Sequence, residues 1–86
     1  MEKAYNISDL RFEKGYLILL ADNQIIKLKL TEISKKLAKA TEPELNDFKF
    51  SPSGYGIYWI QLDEDLSVNG LLKLFQSKLS KKQAHI

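Results

Sequence analysis

The segment from Tyr16 to Leu30 constrains this chain most. It reads Tyr16-Leu17-Ile18-Leu19-Leu20-Ala21, then Asp22-Asn23, then Gln24-Ile25-Ile26-Lys27-Leu28-Lys29-Leu30. Asp and Asn tolerate the left-handed backbone region, so the pair at 22–23 signals a two-residue hairpin turn. After the turn, Ile26, Leu28 and Leu30 alternate with Lys27 and Lys29. That period of two predicts a half-exposed strand. Before the turn, Tyr16 to Leu20 is apolar at every position, which predicts a central strand apolar on both faces. Upstream, Tyr5, Ile7, Leu10 and Phe12 alternate with one change of phase across Ser8-Asp9. This predicts a strand with a bulge or irregular start. Glu13-Lys14-Gly15 makes the turn between them, with Gly15 available for a positive φ. The first half is thus a three-stranded antiparallel meander.

The second half changes period. Leu30, Ile33, Leu37 and Ala40 fall at helical spacing, and Thr31 is placed to cap that helix. Thr41-Glu42-Pro43-Glu44 has the capping-box pattern, which predicts a short second helix to about Asp47. Phe48 and Phe50, then Ile57 to Ile60, read as two further strands. Ser51-Pro52-Ser53-Gly54-Tyr55-Gly56 joins them as a tight turn. Val68, Leu71, Leu72, Phe75 and Leu79 recur at i, i+3, i+4, i+7 and i+11, the apolar face of an amphipathic C-terminal helix. The fold class predicted is α+β: meander, helix, short helix, two strands, helix. One domain is expected over residues 1–86, frayed at its last few residues.

A chain of this length buries only about 60–65% of its unfolded surface, so its core is thin. With no cysteine, disulfides cannot reinforce it. Small domains without disulfides gain support from a bound metal or an oligomer interface. The absent cysteines, and a start without an apolar signal run, point to the cytoplasm. The longest apolar run, Tyr16 to Ala21, is far too short to cross a bilayer, so no membrane partner is expected. The net charge of +2 is too small to indicate nucleic acid. Its distribution is blocked: Gln24 to Ala40 holds five lysines and one acid, Thr41 to Asp65 six acids and one lysine, and Leu66 onward four lysines. Such blocks are either solvated faces or a surface complementary to a partner.

Asp63-Glu64-Asp65 is the densest acidic cluster. Three consecutive carboxylates point in different directions, and the calcium-loop spacing is absent, so no metal is expected. The cluster reads instead as a helix start, with Asp65 or Ser67 as cap. Gly54-Tyr55-Gly56 is too short for a dinucleotide fingerprint and reads as a turn. His85 is the only histidine and lies one residue from the end, where a triad could not hold it rigid. No catalytic group and no cofactor is therefore expected, and the chain reads as a non-enzyme. Tyr58 and Trp59 are adjacent in a strand and face opposite ways, so one points outward. Trp59 is a core or interface anchor. Leu74 stands off the apolar face of the last helix and is available for docking.

Ala40-Thr41-Glu42-Pro43-Glu44-Leu45, Gly54-Tyr55-Gly56-Ile57-Tyr58-Trp59 and Leu62-Asp63-Glu64-Asp65-Leu66-Ser67-Val68-Asn69-Gly70-Leu71-Leu72 resemble a small bacterial family, the domain-of-unknown-function family numbered 2442. The likeness covers about residues 5–74. One departure is Ile60, where the family usually has proline. The resemblance implies an α+β fold and no assigned catalytic residues. Some members are encoded beside another small protein in an arrangement similar to a toxin–antitoxin pair. Together these readings predict a protein-binding module, antitoxin-like, with Tyr55, Tyr58, Asp63, Glu64 and Leu74 as contact candidates. Its expected partner is a small protein, and a homodimer is possible. The alternatives are a nucleic-acid-binding or transcription-associated accessory role through Lys27, Lys29, Lys35, Lys36, Lys39 and the C-terminal lysines, or a homo-oligomeric structural domain.

Overall fold

Four residues in left-handed geometry close the two hairpins of the first half. Lys14 and Gly15 (φ 50° and 81°) join β1 (Ile7–Glu13) to β2 (Tyr16–Ala21). Asp22 and Asn23 (φ 50° and 65°) join β2 to β3 (Gln24–Lys29). Both turns match the right-handed twist of the flanking strands. The Asp22 carboxylate also accepts from the Asn6 backbone N–H at 2.9 Å, pinning the start of β1. The structure, a computed structural model, describes residues 5–83. His85 lies outside the described residues.

The three strands form an antiparallel sheet in the order β1-β2-β3, and the register shifts between Ile7 and Asp9, as the change of phase predicts. Leu10, Leu17, Leu19, Ile26 and Leu28 turn to the buried face. The other face of β2, carrying Tyr16, Ile18 and Leu20, has no part in the core cluster.

One predicted helix is broken in two. The chain makes α1 (Leu30–Ile33) and then α2 (Lys35–Ala38), with Ser34 extended between them at φ −158°, ψ 126°. The expected Thr31 cap is not formed: Lys29 holds the N-cap position and makes no side-chain cap. Ser34 causes the break. Its Oγ accepts from the Leu37 N–H at 3.3 Å, capping α2, and donates to the Glu64 carboxylate at 2.5 Å. A serine hydroxyl engaged this way competes with continuous helix. The stripe Leu30, Ile33, Leu37, Ala40 survives the break, with Leu30 and Leu37 buried.

The capping box forms as predicted. Thr41 Oγ1 accepts from the Glu44 N–H, and the Glu44 carboxylate accepts from the Thr41 N–H, at the head of α3 (Glu42–Leu45). A second antiparallel sheet follows in the order β4-β5-β6: β4 (Phe48–Phe50), β5 (Gly56–Trp59) and β6 (Glu64–Ser67). The turn at Pro52–Gly54 is one turn of 3-10 helix. Gly54 is required there: its φ is +70°, and a Cβ would stand 2.2 Å from the Tyr5 carbonyl oxygen.

β6 overturns the helix-start reading of Asp63-Glu64-Asp65. Asp63 (φ 49°) closes the turn after β5, and Glu64 and Asp65 pair with Trp59 and Tyr58. Acidic residues are poor strand formers, and the pairing with an aromatic, β-branched neighbour overrides that local preference. Of the two expected caps, Ser67 holds: its Oγ accepts from the Gly70 N–H at 3.1 Å, at the head of α4 (Val68–Gln83). Asp65 caps nothing and lies inside the strand.

The two sheets and α4 meet at Trp59, which is fully buried. Its ring stands edge-on to Phe12 at 6.1 Å and tilted to Phe48 at 6.3 Å. Its Nε1–H donates to the Leu45 carbonyl at 2.9 Å. That carbonyl is one of the acceptors left over at the end of a helix, so the indole satisfies α3 while filling the core. Val68 and Leu71 of α4 are buried beside it, with Leu72, Leu74 and Phe75 half-buried. Leu79, the last residue of the predicted apolar face, is exposed. The architecture is α+β, with one more strand than the sequence pattern shows.

Candidate functional site

Strand pairing sets the faces of the second sheet. The register Lys49↔Tyr58↔Asp65 places these three side chains in one row across β4, β5 and β6. The neighbouring rows, Phe48–Trp59–Glu64 and Phe50–Ile57–Leu66, carry the buried Trp59 and Ile57, so they face the core. Alternation therefore turns the Lys49–Tyr58–Asp65 row outward. All three of its members are exposed.

A shallow groove of about 370 Å³ runs along this outer face. Tyr55, Tyr58 and Asp65 line it, with Ser51 and Ser67 at its polar end. Ser51 fixes the shape of that end. Its Oγ accepts from the Gly56 N–H at 2.7 Å, and its backbone N–H donates to the Gly56 carbonyl at 2.9 Å. Gly56 is also held close: a Cβ there would meet the Leu66 carbonyl at 3.1 Å. Tyr55 and Tyr58 remain about two-fifths exposed.

The Tyr58 hydroxyl donates to Asp63 Oδ1 at 3.2 Å. That hydrogen bond, with the negative charge of Asp63 and then that of Asp65, pushes the Tyr58 phenol above its ordinary range. The phenol stays protonated at neutral pH and keeps its hydrogen to donate. The groove thus offers two amphipathic rings and two carboxylates, which suit contact. Among the described residues no three of His, Cys, Asp and Glu converge as a metal would need.

The structure divides the contact candidates read from sequence. Tyr55, Tyr58 and Asp63 lie at the groove or bonded to it. Glu64 turns the other way, sharing a row with Trp59 and accepting from Ser34 Oγ. Leu74 is half-buried on α4 and packs against the core cluster. Lys49 and Asp65 join the outer row, which sequence reasoning missed because β6 was unseen. Of the lysines that a nucleic-acid role would use, Lys27 sits over the Tyr16 ring at 4.8 Å, and Lys36 donates to the Asp63 carbonyl at 3.3 Å.

Residues 7–77 match the family model described as "Protein of unknown function (DUF2442)". Two solved structures share the fold. A protein of unknown function from Rhodospirillum rubrum superposes with a TM-score of 0.65 at 23% identity, covering 83% of this chain and 88% of its own. An uncharacterized protein from Chromobacterium violaceum, solved by solution NMR, gives 0.63 at 27% identity, covering 78% of this chain and 63% of its own. No protein with a curated description matches the chain.

Proposed function

Because the chain belongs to the DUF2442 family, whose role is unassigned, we propose its function from the groove: a non-enzymatic protein-binding module, the antitoxin-like partner in a bacterial two-gene system. The observation that carries this reading is the outward row Lys49–Tyr58–Asp65 with Tyr55 beside it. Exposed tyrosines supply large, semi-rigid contact area with a hydrogen-bonding tip, and such residues dominate interface energetics. Asp63 and Asp65 supply negative charge at the rim, which favours a partner with a basic surface and speeds its encounter. The module acts by covering that surface, and it acts in the cytoplasm. Among the described residues no helix is long and apolar enough to cross a membrane.

Co-expression with the product of the neighbouring gene tests the proposal. The expected result is co-purification in a fixed ratio, and relief of any growth arrest the partner causes alone. If the two proteins elute separately and growth is unaltered, the antitoxin-like reading is wrong.

A further inference from the structure

Two outward rows cross the second sheet: Lys49–Tyr58–Asp65 and, two residues along, Ser51–Gly56–Ser67. The middle of the second row is a glycine, so no side chain stands between Ser51 and Ser67. Gly56 thus makes a floor one side chain deep, and it lines the groove. Tyr55 and Tyr58 line it beside that floor, with rings about two-fifths exposed. The Tyr58 hydroxyl is tethered to Asp63 at 3.2 Å, so this ring is held before any partner arrives.

The charge in the groove has one sign. Among the described residues, Asp65 is the one charged side chain that lines it. Lys49 stands across Tyr58 from Asp65, on β4, and Lys36 is engaged at the Asp63 carbonyl; neither lines the groove. Ser51 Oγ accepts from the Gly56 N–H at 2.7 Å, and Ser67 Oγ from the Gly70 N–H at 3.1 Å. Each hydroxyl keeps a second lone pair for a donor in the groove.

We infer that the groove seats a single arginine of the protein partner, an inference that rests on the binding role proposed for this face. The guanidinium lies over Gly56 and pairs with the Asp65 carboxylate, and the aliphatic stem lies along the tyrosine rings. An anion would face Asp65. An apolar group would cover the carboxylate and both hydroxyls without satisfying them. Between the two cations, shape decides. A guanidinium is flat, weakly hydrated, stacks on aromatic faces and meets a carboxylate with two N–H groups. A lysine ammonium is a compact, strongly hydrated point charge. The groove's volume of about 370 Å³ lies at the small end of the roughly 300–1,000 Å³ of ligand sites, which suits one side chain.

The probe is the capped tripeptide acetyl-Gly-Arg-Gly-amide, titrated to about 20 mM and followed by amide chemical shifts, a range that covers weak constants. The controls carry citrulline, which keeps the shape and loses the charge, or lysine. The arginine peptide moves the Gly56, Tyr58, Asp65 and Ser67 amides together. The citrulline peptide binds at least about fivefold more weakly, the worth of an exposed ion pair with a cation–π contact, and the lysine peptide also binds more weakly. Asp65→Asn, an exposed change of the same shape, weakens the arginine peptide about fivefold. No saturable shift at these amides overturns the inference, and so does equal binding of the citrulline or lysine peptide. Equal shifts at Asp9 and Glu13 on the first sheet overturn it too, since they show general attraction to acids. Binding of the neighbouring gene product at this face with no arginine preference sinks the inference alone. An arginine peptide that binds as described, with a neighbouring product that does not, upholds the inference and sinks the two-gene role alone.

Discussion

Replacing Trp59 with phenylalanine tests the centre of the fold. Trp59 is fully buried and is the only tryptophan. The substitution removes the Nε1–H that donates to the Leu45 carbonyl at 2.9 Å. A buried acceptor left without its donor costs about 1–3 kcal/mol. The smaller ring also vacates roughly 40 Å³, which at about 24 cal/mol per Å³ adds about 1 kcal/mol. The edge contact with Phe12 at 6.1 Å is weakened as well. The sum is about 2–4 kcal/mol. A domain of this size has about 4–13 kcal/mol in all, so the variant loses a large share and melts roughly 10–25 °C lower. Urea unfolding followed by far-UV circular dichroism suits both proteins, since the variant has no tryptophan fluorescence. A loss below about 1 kcal/mol would mean that the indole is neither the anchor between the sheets nor the partner of α3.

Two further outcomes follow from local geometry. Gly15 and Gly54 both have positive φ, but only Gly54 lacks room for a Cβ. Gly15→Ala should cost about 1 kcal/mol, and Gly54→Ala clearly more, because the Tyr5 carbonyl must move; equal losses in urea titrations would contradict this. Tyr58 should ionise above the ordinary phenol range, and Asp63→Asn should lower its titration point, read by phenolate absorbance. Since the native state favours the neutral phenol, the Tyr58–Asp63 bond stabilises the fold below the unfolded phenol's pKa. That contribution is lost as pH rises through the higher native value. A titration point unmoved by Asp63→Asn would remove Asp63 as the cause.

What the sequence reveals here follows from how local each signal is. The turns at Lys14-Gly15 and Asp22-Asn23, the register shift near Ser8 and the Thr41–Glu44 box are set by neighbouring residues, and all read correctly. At Ser34 the hydroxyl bonds Glu64, thirty positions away, as well as capping Leu37, and a continuous helical stripe conceals the break. β6 is hidden for the same reason: its acids read as a helix start until β5 is placed beside them. The consequence reaches the site. Without β6, Asp65 has no face, and the row Lys49–Tyr58–Asp65 cannot be drawn. Tyr55 and Tyr58 are legible because strand alternation sets them against Ile57 and Trp59. Leu74 looks free in the sequence because helical spacing alone does not show which neighbours flank α4.

The proposed role puts a protein partner on the Tyr58 face. Titration calorimetry with the neighbouring gene product, comparing the wild type with a Tyr58→Ala/Asp65→Lys variant of native circular dichroism, tests it most directly. The wild type should bind, and the variant should lose at least about tenfold in affinity, the scale of an interface anchor and a reversed rim charge. Equal affinity of the two proteins would contradict that role.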